Sequence, residues 1–372
     1  MKAEIFSKIL GSEFYTGVPD SLLKGFCDYL TDKYGTDGQS HVIAANEGNA
    51  VGIAAGYHLA TGKFPVVYMQ NSGEGNAINP IASLLNDKVY GIPVIFVIGW
   101  RGEPGVKDEP QHIYQGEVTL KLLEDMNIAS FVVDNTTGEK ELTEVMNNFS
   151  SLLALGKQVA FIVRKGAITY DKTIEFKNDA VLLREDIIRH IVSHTDNDPI
   201  VSTTGKASRE LFEIREENNE GHGHDFLTVG SMGHSSSIAL GIAIQRKDKK
   251  VWIIDGDGAV LMHMGAMAVL GSKKPKNIVH IVINNGAHET VGGQPTAAGN
   301  IDLVTIARGC GYEYAVRVTD ADSLDRELIL AKSRNALSFI EVSCAIGARD
   351  NLGRPTTTAK ENKEAFVAQL RK

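Results

Sequence analysis

Two polar side chains stand where their types and spacing could do chemistry. Asp257 lies in Gly256-Asp257-Gly258 at the end of the apolar run VWIID (251–255), and Asn285 follows the apolar run IVHIVIN (278–284). Between them lie 27 residues, the length of one helix plus one strand, so a parallel βαβ unit would carry both to the same sheet edge. A carboxylate and a neutral amide oxygen, set among glycines whose backbone N–H groups can face outward, suit a hard cation such as Mg²⁺. Such a cation keeps open positions for phosphate oxygens. Asn284 is the competing ligand if the turn is shifted by one residue. Taken without the upstream glycines, Asn284-Asn285 would be only a turn after a strand. The combination points to an enzyme.

The elements that would position these groups follow from hydrophobic patterning. Val- and Ile-rich runs alternate with helical segments: VVYM (66–69), PVIFVIG (93–99), VAFIV (159–163), PIVST (199–203), VWIID, IVHIVIN and SFIEVS (338–343). Continuous apolar strands separated by helices imply parallel sheets covered on both faces, an α/β chain of two doubly wound domains. The polar stretch 166–185 breaks the rhythm, and the expected division is a domain at 1–170, a linker at 171–185 and a domain at 186–372. Both halves carry a small-residue helix, a strand and a glycine turn, NAVGIAAGYHLATGKFPVVYMQNSGEGN in the first and SSIALGIAIQRKDKKVWIIDGDGAVL in the second. This is the pattern of a duplicated architecture. Two unrelated α/β domains of similar composition are the alternative.

Composition narrows the class. The 372 residues are 43% hydrophobic and 23% charged, an ordinary globular balance for about two domains. A formal net charge of −8 argues against nucleic acid or an anionic membrane as partner. Cys27, Cys310 and Cys344 are odd in number and widely spaced, which reads as reduced thiols in a cytoplasmic protein. The opening residues lack the apolar core of a signal peptide, and no apolar run is long enough to span a bilayer. Nucleotide motifs fail: Gly256-Asp257-Gly258 lacks the third glycine of a dinucleotide fingerprint. The stretch from Gly56 to Gly62-Lys63 is one residue too long for a phosphate-binding loop, and Phe64 stands where Ser or Thr is required.

The GDG…NN arrangement resembles the diphosphate–metal signature of thiamine-diphosphate enzymes. Further strings make the chain similar to the phosphonopyruvate decarboxylase family over nearly its full length. They include Gly17-Val18-Pro19-Asp20-Ser21, Asn71-Ser72-Gly73, Gly99-Trp100-Arg101-Gly102-Glu103-Pro104-Gly105, Asp108-Glu109-Pro110-Gln111-His112 and Asn284-Asn285-Gly286-Ala287-His288. The resemblance implies an N-terminal pyrimidine-binding domain and a C-terminal diphosphate-binding domain. It also implies a homo-oligomer with cofactor sites between subunits, and two cofactors, thiamine diphosphate and Mg²⁺. The implied reaction takes 3-phosphonopyruvate to phosphonoacetaldehyde and CO₂, as a step of phosphonate biosynthesis. Sulfopyruvate decarboxylation, or carboligation from the same cofactor, is the alternative.

The resemblance also implies roles. Asp257, Asn285 and the carbonyl oxygen of Ala287 would hold the metal. Gly205, Gly230, Met232, Gly256, Gly258, Ala259 and His288 would surround the cofactor, with Met232 beneath the thiazolium. Glu47, in AANEGNAVGIAAG, would hydrogen-bond the aminopyrimidine ring. For that it must hold a proton at neutral pH, so desolvation has to exceed the roughly 0.3–1 kcal/mol by which a helix N-terminus favours the anion. The competing role for Glu47 is helix capping. Asp20 and His112 would join Glu47 as catalytic groups, although Asp20 would equally serve to cap the SLLKGF helix and His112 to be a polar loop residue. Gln111 departs from the histidine pair that larger relatives carry. Substrate would be a small anionic 2-oxo acid, met by Asp20, Ser21, Arg101, Lys107, Gln111 and His112, with Arg101 and Lys107 supplying the cations that a phosphonate needs.

Overall fold

In the computed structural model, which describes residues 1–36 and 38–372, the chain divides into two compact units. Unit 1 comprises Met1–Glu175 and Val291–Pro295; unit 2 comprises Phe176–Thr290 and Thr296–Lys372.

Unit 1 is built on β1 (Tyr15–Gly17), β2 (His41–Ile43), β3 (Val66–Gln70), β4 (Ile95–Gly99), β5 (Ala129–Val133) and β6 (Val159–Val163). Unit 2 is built on β7 (Ile200–Ser202), β8 (Asp225–Leu227), β9 (Val251–Gly256), β10 (Ile278–Asn284), β11 (Tyr314–Val318) and β12 (Ser338–Ser343). Every pairing is parallel. The first sheet runs β2-β1-β3-β4-β6-β5 and the second, from its other edge, β8-β7-β9-β10-β12-β11. Subtracting six from each label of the second gives the order of the first. The repeated sequence pattern falls at matching places, because it ends in β3 in one unit and β9 in the other.

The alternation of the strands explains both cores. In unit 1, Val66, Tyr68, Ile95, Val97, Val159 and Phe161 enter one apolar cluster, while Val67, Met69, Phe96, Ile98, Ala160 and Ile162 enter another. Unit 2 repeats this, with Trp252, Ile254, Val279 and Ile281 on one face and Val251, Ile253, Ile278 and Val282 on the other. Strands apolar at every position are what a sheet covered on both sides requires. The helix Glu47–Thr61 turns Ala50, Val51, Ala54 and Ala55 inward, and the helix Ser235–Gln245 turns Ser235, Ser236, Ala239 and Ala243 inward. Small side chains let each helix lie close to its sheet.

A sheet ordered 2-1-3-4 reverses its winding between its first and third strands, and ligands in such folds bind beyond the carboxyl ends there. The chain therefore presents equivalent edges, after β1 to β4 in unit 1 and after β7 to β10 in unit 2. All three cysteines are free, and Cys27 and Cys344 are buried. Among the described residues, no helix is long and apolar enough to cross a membrane.

Candidate active site

In unit 1 the sequence-derived residues fall on the edge that topology selects. Asp20 follows β1, Glu47 follows β2, Asn71 to Asn76 follow β3, and Arg101 follows β4. Asn46 caps the helix Glu47–Thr61 by accepting from the Asn49 N–H, so Glu47 is the first helical residue rather than the cap. Its Oε2 accepts instead from Asn76 Nδ2 at 2.7 Å. A methyl group on Gly73 would sit 2.5 Å from Glu47 Oε1, so residue 73 must lack a side chain for the carboxyl to occupy this position. Burial pushes the Glu47 pKa up, and the Asn76 hydrogen bond only partly offsets it. Desolvation outweighs these hydrogen bonds, the direction that a proton-holding carboxyl needs.

Asp20 is fully buried and lies four residues before the helix Lys24–Tyr34, whose N-terminus receives no side-chain cap. It does not cap that helix. Its Oδ2 accepts from the Leu22 N–H at 3.1 Å, while Oδ1 is buried without a hydrogen-bond partner. Burial raises its pKa to about 6, against the pull of Arg101. Residue 99 is a glycine because the Asp20 carboxyl packs against its Cα; a Cβ there would come within 3.1 Å of the carboxyl carbon. Glu74, which sequence reasoning passed over, is the first residue of the helix Glu74–Pro80, between Gly73 and the Asn76 that touches Glu47. Both its carboxyl oxygens are buried and unpartnered, and burial raises its pKa to about 8.

Arg101 is more committed than a free anion receptor. Its guanidinium grips Asp108 with Nε at 2.8 Å and Nη2 at 2.5 Å, and Nη1 reaches Ser21 Oγ at 3.1 Å. Ser21, Arg101 and Lys107 line one cavity of about 610 Å³, together with Arg164 and Lys165, two cations that the sequence did not mark. Its wall holds four cationic side chains (Arg101, Lys107, Arg164, Lys165) against three carboxylates (Glu103, Asp108, Asp134), so the local balance opposes the global charge. Arg164 is itself paired with Glu103 and Asp134, which leaves Lys107 and Lys165 as exposed cations with no ion pair among the described residues. Asp20, Gln111 and His112 are not on this wall. Gln111 and His112 open the helix Pro110–Asp125. His112 is held near pKa 4 by desolvation and by Arg101, with Nδ1 buried and unpartnered, so the ring is neutral at pH 7.

In unit 2 the turns after β7, β8, β9 and β10 carry the expected cofactor residues. Gly205, at φ +91, precedes the helix Lys206–Glu217. Gly230 and Met232 lie in the turn before the helix Ser235–Gln245, where Ser231 and Gly233 take positive φ. Gly256 closes β9, and Asp257, Gly258 and Ala259 open the short helix Asp257–Met262. A Cβ on Gly258 would meet Met232 Cε at 3.3 Å and the His288 ring at 3.5 Å, so Gly258, Met232 and His288 form one cradle. His288 is buried and neutral, its pKa lowered to about 4 by desolvation.

The paired strands place Ile283 opposite Gly256, which brings the two candidate metal ligands to one edge. Asp257 is buried, and burial lifts its pKa to about 6 against hydrogen bonds from Thr296 Oγ1 and from the backbone N–H groups of Asp257, Gly258 and Asn285. Asn285 is buried, with Nδ2 2.8 Å from Glu289 Oε2 and Oδ1 accepting from the Ala287 N–H at 3.0 Å. Asn284 turns to a different neighbour, donating to Glu341 Oε1 at 2.8 Å. No cluster of three or more His, Cys, Asp or Glu side chains suited to a metal occurs among the described residues. The donor set is one carboxylate, one amide oxygen and backbone, which fits Mg²⁺ and does not fit zinc. Behind it stands a charged network that sequence reasoning missed: Glu289 accepts from Arg184 and Lys206, and Arg184 is held bidentately by Glu210. Burial acts to raise the Glu289 pKa, but Arg184 and Lys206 outweigh it and the group stays below its usual range.

Comparison with known proteins gives a consistent picture. Residues 3–123 match the model described as "Thiamine pyrophosphate enzyme, N-terminal TPP binding domain", and residues 203–342 match the corresponding C-terminal TPP binding domain. The chain is 31% identical to a phosphonopyruvate decarboxylase of Streptomyces viridochromogenes, over 96% of this chain and 91% of the relative. It is 30% identical to a second, from Streptomyces hygroscopicus, covering 96% and 90%. It is also 30% identical to a sulfopyruvate decarboxylase of Methanosarcina acetivorans, covering 90% and 88%.

Proposed function

The chain belongs to the phosphonopyruvate decarboxylase family of thiamine pyrophosphate enzymes, and from that premise we propose that it releases CO₂ from 3-phosphonopyruvate, using Mg²⁺ with its cofactor, as a step of phosphonate biosynthesis. The observation that carries this reading is the doubled topology, in which two sheets of one strand order each set their candidate residues after the same four strands.

On this reading Asp257, Asn285 and the carbonyl oxygen of Ala287 would hold Mg²⁺, which would supply positive charge for the cofactor's diphosphate. Gly205, Gly230, Gly256 and Ala259 offer backbone to the cofactor, and Gly258, Met232 and His288 cradle it. When bound, the cofactor supplies the electron sink that lets CO₂ leave without its bonding pair. Glu47 holds a proton at the aminopyrimidine ring, kept there by burial. Asp20 delivers the proton that replaces CO₂ on the former keto carbon, so one C–C bond breaks, one C–H bond forms and phosphonoacetaldehyde is released. His112 and Gln111 serve as neutral hydrogen-bonding groups. Ser21, Arg101 and Lys107 take the phosphonate, with Arg164 and Lys165 adding to the positive wall. We assign the active form to a homo-oligomer in which each cofactor takes Glu47 from one subunit and Asp257 from another. The charge balance and the reduced thiols support a cytoplasmic enzyme.

The relation to a sulfopyruvate decarboxylase favours a second reading, in which a sulfonate meets the same cations. A phosphonate carries nearly two negative charges and a sulfonate one, so a cationic wall discriminates in favour of the phosphonate. Rates of CO₂ release from the two acids, with cofactor and Mg²⁺ present, decide between them. A kcat/KM at least about tenfold higher for phosphonopyruvate, worth about 1.4 kcal/mol, supports the first reading. The reverse order assigns the second, and turnover of neither acid contradicts both.

A further inference from the structure

Asn285 can present its amide in two nearly isosteric orientations, and only one of them offers oxygen to a cation. Two contacts select it. Nδ2 lies 2.8 Å from Glu289 Oε2, which as a carboxylate oxygen can only accept, and Oδ1 lies 3.0 Å from the Ala287 N–H, which can only donate. A flipped amide would set oxygen against carboxylate and NH₂ against N–H. The same Glu289 oxygen takes Arg184 Nη1 at 2.8 Å, and the other takes Lys206 Nζ at 2.7 Å. Arg184 is fixed in turn by Glu210, through contacts of 2.7 and 2.8 Å. Lys206 begins the helix that follows the Gly205 turn, so the network ties the turn after β7 to the turn after β10.

We infer that Glu289 is a positioning residue for the metal centre, holding the Asn285 amide with its oxygen directed to the cation while Arg184 and Lys206 hold Glu289. The inference rests on Asn285 being a metal ligand. Partners that orient a ligand from outside the coordination sphere are worth about 10- to 100-fold in metal affinity.

The test is a titration of the full-length protein with Mn²⁺ in the presence of thiamine diphosphate, read by electron paramagnetic resonance, with a thermal melt to confirm folding of each variant. Glu289→Gln weakens Mn²⁺ binding about 10- to 100-fold. Asn285→Asp added to Glu289→Gln exchanges donor and acceptor, and that double variant binds more tightly than either single variant; losses that merely add would mark a structural role and overturn the inference. Glu289→Asp keeps the charge for Arg184 and Lys206 while withdrawing its reach to Asn285, and replaces Glu289→Gln as the test if the latter does not fold. Parental Mn²⁺ affinity in these Glu289 variants overturns the orienting role. Asn285→Ala separates the two failures: if it weakens Mn²⁺ binding while the Glu289 variants do not, only the orienting role falls. If it too binds as the parent does, the metal reading itself falls.

Discussion

The carboxyl carbon of Glu47 lies 2.6 Å from the point where a Cβ on residue 73 would stand, so the position of the one depends on the other being glycine. Gly73 has φ −73°, a conformation open to any residue, and its backbone does not require glycine. Gly73→Ala therefore displaces the Glu47 carboxyl more than it strains the fold. The expected result is a fall in kcat of about 100-fold, the cost of misplacing a reacting group by about 1 Å. A melting temperature near the parent's should accompany it. An active Gly73→Ala protein would show that the Glu47 position is not critical.

Glu47→Gln keeps the size of the side chain and the contact with Asn76 but cannot exchange a proton. Steady-state kinetics should show a loss of about 10²- to 10⁴-fold in kcat, with cofactor binding by fluorescence retained. Parental turnover would remove Glu47 from the chemistry.

Asp20 changes protonation near pH 6, where burial has lifted it. As the proposed donor of the final proton it must be in its acid form. The profile of kcat/KM against pH should therefore bend near 6 and fall on the alkaline side, and Asp20→Asn should remove the bend. A fall on the acid side instead would make Asp20 an acceptor.

Glu74 makes stability depend on pH in an uncommon direction. Its carboxyl titrates near its ordinary 4.5 when unfolded and at about 8 when folded. Below 4.5 both states are protonated and no penalty applies. Between 4.5 and 8 the unfolded chain gives up a proton that the folded chain keeps, so stability falls as pH rises, by up to about 1.4 kcal/mol per unit. Thermal melts of Glu74→Gln should match the parent near pH 4.5 and exceed it near pH 8. Parallel curves would mean that the carboxyl is not held protonated.

Much of the fold is legible in the sequence because long buried strands announce themselves. IVHIVIN and SFIEVS are β10 and β12 to the residue, and VAFIV is β6. Harder to read are β1 and β2, with three residues each, and the edge strands β5 and β11, whose partly exposed faces break the apolar run. That Asp257 and Asn285 share one sheet edge is readable because a strand, a glycine turn and a fixed spacing coincide. Partners contributed by distant segments had no such signal. Thr296 reaches Asp257 across 39 residues and Arg184 reaches Glu289 across 105, and no local pattern encodes either contact. Arg101 is expected to supply a cation for the substrate, and its neighbours in the sequence do not show that this cation is already paired. The fork that closes on Asp108, seven residues later, appears only when the loop folds back.

The most direct measurement is calorimetric titration of thiamine diphosphate into the protein, with Mg²⁺ present and after its removal by chelation, for the parent and for Asp257→Ala. Tight association in the parent that weakens at least about tenfold on either change is the expected result, because the proposed function has Asp257 hold a cation that supports the cofactor's diphosphate. Equal affinity in all four conditions, or no association in the parent with magnesium in excess, would contradict it.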